Sequence, residues 1–334
     1  MSHMYILDNG SSIGMDGGRY VVKQKDDVIR SIPKEGVESI IVFGNSTITT
    51  PCVHDLLERG ISVCYFSSKG KYFGRLVSTE FSKVELVKKQ FQIFDNRNFS
   101  VNLAKNIIQA KIHNQYVVVK RYIKDETEDI KRKLVIIRRM EQKVHKSDSI
   151  DEIMGCEGMA ARNYFSLLGM SVKPEFRFYG RNRRPPKDAF NSLLSLGYTL
   201  LMYDIMAKIE SVGLNPYYGF MHTNRDNGPS LVSDLMEEWR AVIVDSIVMS
   251  MIQGNELDTD DFVTDDKHEG VYIQNAAIKK FITKFEKKLN TSSKYLAYDD
   301  NSYSFRQAIE IQCSKIAECI NNNDFERYTP VIIR

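Results

Sequence analysis

The sequence predicts an α+β protein: a small N-terminal β-sheet domain over residues 4–80, then a larger all-α domain over residues 81–334. Two patterns and one bound predict it. Short β-branched and aromatic runs punctuated by turn residues occupy the first segment, and helical periodicity with caps takes over beyond it. The length of 334 residues exceeds what one hydrophobic core usually supports.

Within the first segment, Tyr20-Val21-Val22-Lys23 and Val28-Ile29-Arg30-Ser31-Ile32 flank Asp26-Asp27 as a hairpin, with Gly17-Gly18 as the turn before it. Ser39-Ile40-Ile41-Val42-Phe43 is the next strand. Thr50 as N-cap and Pro51 at the first helical position open a short helix that runs to Arg59 and ends at Gly60. Runs 61–66 and 72–77, joined through Lys69-Gly70-Lys71, complete an antiparallel-rich sheet with one crossover helix. Met1-Ser2-His3 reads as a cloning remnant rather than a targeting segment.

Beyond residue 82, helices are predicted over 99–124 and 128–146, and from near Asp151 after the candidate caps Ser147 and Ser149. Others follow at 189–212, capped by Asp188 and ended by Gly213, at 231–252, capped by Ser230, and at 275–289 and 305–321. The acidic stretch 256–269 lacks the central glycine of a calcium loop and reads as a solvated surface loop.

With 43% apolar and 27% charged residues, the composition is that of a soluble globular chain. Its longest apolar runs, 193–203 and 241–252, are too short or interrupted to cross a bilayer, so no membrane partner is expected and the expected location is cytoplasmic. Five scattered cysteines lack the spacing of a zinc site and read as buried thiols. A net charge of +3 does not announce a nucleic-acid partner, so local charge must carry that argument.

Four segments could carry chemistry. Glu157 sits in a run rich in small residues, where Glu157, Ala161 and Tyr164 share one helical face; this suits a groove holding an ion and a backbone, or a surface Glu on a tightly packed helix. His222 lies in a loop punctuated by Pro216 and Gly219, free of helical constraint, and is either a ligand or a structural histidine. In 230–240, Leu231, Leu235, Trp239 and Val242 form a buried stripe, while Asp234, Glu237, Ala241 and Asp245 line another face. Such a carboxylate row is a wet face or a metal site, and with an imidazole it suits Mn²⁺ or Mg²⁺. Finally, Arg177, Arg181, Arg183, Arg184 and Lys187 alternate with aromatics and prolines as a phosphate-binding strip or a solvated basic loop.

Taken in chain order, Glu157-Gly158 with Ala161 and Tyr164, Arg183-Arg184-Pro185-Pro186 with Asn191 and Tyr198, Asn215-Pro216 with Gly219 and His222, and Asp234-Leu235-Met236-Glu237 with Trp239-Arg240 resemble the CRISPR-associated integrase and endonuclease family, the universal enzyme of spacer acquisition. The resemblance implies that Glu157, His222 and Glu237 hold the divalent metal, Mg²⁺ or Mn²⁺, with Asp234 as an auxiliary catalytic carboxylate. It implies that Tyr164 and the basic loop face DNA. It further implies a homodimer formed through the β domain and a heterocomplex with a small ferredoxin-like partner protein that captures a short duplex. The implied reaction is transesterification, in which a 3′-hydroxyl of the captured DNA attacks a phosphodiester at the edge of the CRISPR repeat. Two other readings stay open: a general metal-dependent nuclease on branched DNA, and a non-catalytic DNA-binding scaffold.

Overall fold

The order of strands and helices follows from where apolar side chains alternate and where they repeat every third or fourth residue. The computed structural model describes residues 2–78, 83–125, 127–182, 185–222, 226, 228–265 and 270–334. As expected, a small N-terminal β region precedes a mostly helical remainder. Two units result: Met1–Ser82 with Ile273–Lys279, and Lys83–Tyr272 with Lys280–Arg334.

The first unit holds β1 (Ser2–Ile6), β2 (Ser11–Asp16), β3 (Arg19–Gln24), β4 (Asp27–Pro33), β5 (Val37–Phe43), β6 (Thr47–Ile48), α1 (Thr50–Glu58), β7 (Ser62–Phe66) and β8 (Tyr72–Leu76). The expected single sheet is instead two four-stranded sheets, ordered β1-β5-β7-β8 and β4-β3-β2-β6. In the first, β5 runs parallel to both β1 and β7, and only β8 is antiparallel. The hairpin around Asp26-Asp27 forms as β3 and β4. Ser2 and His3 carry no strand signal, yet they pair with Val37 and Ser39. That pairing is long-range, which is why the local sequence hides it. Helix α1 starts one residue earlier than expected, with Thr49 as its N-cap. Met4, Ile6, Ile13, Tyr20, Ile40, Val42, Leu56 and Val63, drawn from both sheets and α1, form one core.

The second unit contains α2 (Val84–Phe94), α3 (Arg97–Lys120), α4 (Glu128–His145), α5 (Ile150–Ser171), α6 (Ala189–Ser211), α7 (Ser230–Met236) and α8 (Ser246–Gln253). The paired strands β9 (Phe262–Asp265) and β10 (Gly270–Ile273) follow, then α9 (Asn275–Leu289), which enters this unit from Lys280, the pair β11 (Ser292–Ser293) and β12 (Tyr303–Ser304), and α10 (Phe305–Asn322). Part of the acidic stretch is therefore a strand rather than a loop. Helix α2 was not expected. Caps fix several boundaries: the side chains of Asn96, Ser149 and Asp188 accept from Phe99, Glu152 and Asn191 amides at 3.1, 3.3 and 2.7 Å. Ser147 instead closes α4, donating to the Lys143 carbonyl at 3.1 Å.

The helix expected over 231–252 is not continuous. It breaks after α7, passes through a π-helical stretch from Arg240 to Asp245, and resumes as α8. Wide turns of this kind shift the phase of one face against the next, and they concentrate at functional sites. All five cysteines are buried and free, as expected. Among the described residues no helix is long and apolar enough to cross a membrane.

Candidate functional site

The loop that carries His222 is built around one carboxylate. Asp234, on α7 and fully buried, accepts the backbone N–H groups of Phe220 at 2.5 Å, Met221 at 3.1 Å and His222 at 3.0 Å. It also lies 2.7 Å from His222 Nδ1. Ser230, expected as a helix cap, instead accepts the Gly219 N–H at 3.0 Å and donates to the Tyr217 carbonyl at 2.5 Å. Gly219 has no room for a side chain, because a Cβ there would stand 2.5 Å from Asp234 Oδ2 and 2.6 Å from the Ser230 carbonyl carbon. The loop's position is thus dictated by Gly219, Ser230 and Asp234 together.

This arrangement fixes the imidazole. With Nδ1–H given to Asp234, Nε2 is left facing Glu237 Oε1 at 3.6 Å. Burial pulls the His222 pKa down, but the Asp234 hydrogen bond and the charges of Asp234 and Glu237 outweigh it and raise it above its ordinary value. The ring remains 29% exposed, so it is reachable from solvent.

Glu157, mid-way along α5, and Glu237, just past the end of α7, converge on Lys111 of α3. The Lys111 ammonium hydrogen-bonds Glu157 Oε1 and lies 2.6 Å from Glu237 Oε2. That Glu237 oxygen is buried and out of hydrogen-bond alignment, while Oε1 lies 3.3 Å from Arg240 Nε. Burial would raise the Glu237 pKa, but Arg240, Lys111 and His222 hold it down at about 2. Lys111 loses hydration, yet the two carboxylates raise its pKa, so it is charged at neutral pH. Of the two readings of the row Asp234, Glu237, Ala241 and Asp245, the wet face is excluded, because all four are buried.

Among the described residues, no three acidic, His or Cys side chains close around one cation-sized space, because the Lys111 ammonium stands between the two carboxylates. The donor chemistry nonetheless suits a hard divalent cation. Glu157 and Glu237 meet the same ammonium, Glu237 also faces His222 Nε2, and a buried Glu237 oxygen lacks an aligned donor, so oxygen and imidazole donors from three separate elements come together around Glu237. Gly155 and Gly158, in the small-residue run, face open space rather than a packed neighbour.

Beneath this cluster lies a second one. Tyr164 and Tyr198 donate to the two oxygens of Asp245, at 2.7 and 2.5 Å. Burial pushes the Asp245 carboxyl up to about 6, the two phenols pulling the other way. Tyr164, expected to face DNA, is fully buried and presents nothing to solvent. The phase shift of the π-helical stretch is what turns Asp245 toward these phenols while Arg240 stays beside Glu237.

The basic strip divides. Arg177 and Lys187 are exposed. Arg181 is tied into the fold: it donates to Asn191 Oδ1 at 2.7 Å and Ser195 Oγ at 3.2 Å, and its guanidinium lies 5.2 Å from the Tyr198 ring centre. Arg183 and Arg184 lie outside the described residues. One site residue escaped the sequence reading, Lys111, and Arg240 stood in the quoted motif without a role. Lys111 left a signal, a lysine in step with Ala104, Ile107 and Ile108 on a buried helical stripe, where an unpaired ammonium is costly.

The model of the family described as CRISPR associated protein Cas1 matches residues 4–287. The CRISPR-associated endonuclease Cas1 of Mycobacterium tuberculosis (strain H37Rv) is 32% identical over 320 residues, covering 96% of this chain and 94% of its own. The CRISPR-associated endonuclease Cas1 3 of Thermus thermophilus is 32% identical over 289 residues, covering 86% and 84%. A chain of a solved Cas6-RT-Cas1–Cas2 complex superposes with a TM-score of 0.87 at 25% identity, this chain spanning 36% of it. A CAS1 protein from Thermotoga maritima shares the fold at a TM-score of 0.81 and 22% identity, over 96% of this chain and 97% of that one. With the family matched over most of the chain, the protein belongs to the Cas1 family of CRISPR-associated proteins.

Proposed function

We propose that the protein is a metal-dependent DNA integrase of CRISPR adaptation with endonuclease activity, inserting short duplexes as new spacers at the edge of the repeat. The observation that carries the reading is the convergence of three elements on Glu237, which shares Lys111 with Glu157 and faces the Nε2 of His222. Relatives named CRISPR-associated endonuclease support phosphodiester chemistry.

Glu157, His222 and Glu237 would hold Mg²⁺ or Mn²⁺. When bound, the ion would supply positive charge against the negative charge that builds on the phosphoryl oxygens. The chain's own groups do the rest. Asp234 positions the imidazole and keeps its proton on Nδ1. Arg240 adds charge at Glu237, and Arg177 and Lys187 hold the DNA backbone electrostatically. In the joining step, the 3′-oxygen of the captured strand bonds to phosphorus and loses its proton. The bond from that phosphorus to the target 3′-oxygen breaks, and the leaving oxygen takes up a proton. One phosphodiester replaces another, so no oxidant or energy carrier is needed, and fixed geometry and charge supply the catalysis.

A homodimer through the N-terminal unit is supported by Val28 and Ile29, exposed on β4, and by Phe73, exposed on β8. A heterocomplex with a partner protein is supported by the similar chain solved in a complex with Cas2, and the partner's small ferredoxin-like fold is part of the proposal. The test is strand transfer to a supercoiled plasmid carrying leader and repeat, comparing a 3′-hydroxyl duplex with a 3′-deoxy one. Joined product only from the hydroxyl duplex, lost in EDTA, fits integration. Hydrolysis of branched DNA without joining would favour a general nuclease, and binding without any product a scaffold.

A further inference from the structure

Lys111 is a strange residue to find where it is. It lies on α3 among the buried side chains of Ile107, Ile108 and Ile112. An ammonium in such a setting is costly unless opposite charges surround it. Its partners here are the two carboxylates expected to hold a metal ion, Glu157 and Glu237. Those carboxylates come from separate elements, α5 and the end of α7, and with nothing between them they would repel.

We propose that Lys111 is the resident counter-cation of this carboxylate pair, and that a divalent ion enters by displacing its ammonium from between Glu157 and Glu237. The inference rests on the reading of those residues and His222 as metal ligands. An ammonium and a divalent ion cannot share one space between two carboxylates, and the ion brings twice the charge to it. The side chain is suited to exchange, because a point charge on a flexible four-carbon stem moves more readily than a bidentate guanidinium fork. Arg240 stays on Glu237 Oε1, so the oxygen facing Lys111 changes partner without releasing the other. Lys111 is therefore a positioning residue: it keeps the site assembled before the metal arrives and lowers the affinity for the metal by competing with it.

Mn²⁺ binding to the full chain by titration calorimetry, with melting temperatures in EDTA and in Mn²⁺, tests this. In Lys111→Met the melting temperature in EDTA should fall, and Mn²⁺ should bind roughly tenfold more tightly or better, so the metal should raise the melting temperature more than in the parent. A variant that folds only with Mn²⁺ supports the same conclusion. Unchanged or weaker Mn²⁺ binding would overturn it, because a lysine with a merely structural role does not compete with the ion. If Lys111→Met folds in neither condition, Lys111→Arg decides: weaker Mn²⁺ binding supports displacement, and unchanged binding overturns it. His222→Ala and Glu237→Gln separate the two ideas. Mn²⁺ binding that survives both removes the ligand reading itself, whereas binding lost in both but unaltered by Lys111→Met removes only the role of Lys111.

Discussion

Asp234 Oδ1 lies 2.7 Å from His222 Nδ1, and the same carboxylate accepts three consecutive backbone amides of the loop that carries that histidine. Its acceptor capacity is taken up by the chain, so it acts by holding the histidine. Asp234→Asn would put an amide N–H where an acceptor is needed. It should cost about 2–4 kcal/mol of stability and abolish Mn²⁺ binding even where the fold survives. Urea unfolding and metal titration on the same sample check both halves.

Tyr164 and Tyr198 share Asp245, and neither phenol is available to DNA. Tyr164→Phe should cost about 1–2 kcal/mol, because a buried acceptor loses its donor, and leave DNA affinity unchanged. Fluorescence anisotropy with a labelled duplex would show a weakened complex if the phenol touches DNA after all.

The basic strip should behave as two kinds of residue. Arg177→Ala with Lys187→Ala should weaken DNA binding and lower its dependence on salt by about one to two charges, with the melting temperature unaltered. Arg181→Ala should do the reverse and lower the melting temperature, because its guanidinium is tied to Asn191 and Ser195 of α6.

In the N-terminal unit, Asp55 accepts from Tyr20 at 2.6 Å and Lys34 at 2.7 Å, with Arg59 Nε at 3.2 Å. Burial would raise its pKa, but the Lys34 and Tyr20 hydrogen bonds and the two positive charges hold it below the usual range. A depressed carboxylate stabilises the fold fully above its unfolded pKa of about 4, and that contribution is lost as pH falls through the depressed folded value. Asp55→Asn should therefore lower the melting temperature at pH 7 and flatten its fall between pH 5 and the acid limit, read by circular dichroism.

Local rules made much of this legible. The Asp188 cap and Gly213 bracket α6 as expected, and the stripe of Leu231, Leu235, Trp239 and Val242 is buried. The pairing of Glu157 with Glu237, on separate elements, was reachable only through the order of several weak motifs. Hidden features share a cause, which is that their partners lie far off in sequence. β1 is a strand because β5 pairs with it, the buried Tyr164 hydroxyl is tolerated because Asp245 accepts its hydrogen bond, and Lys111 is tolerated because two distant carboxylates meet it. The π-helical stretch is hidden for another reason: heptad-like periodicity runs straight through it, and only packing reveals the changed phase.

The central claim is that one site made of Glu157, His222 and Glu237 joins DNA strands. The most direct test is strand transfer by Glu157→Gln, with DNA affinity measured on the same preparation. Joining and nicking lost by roughly a hundredfold or more, with duplex binding retained, is the expected result. Joining at the parent rate would contradict the claim and place the chemistry elsewhere on the chain.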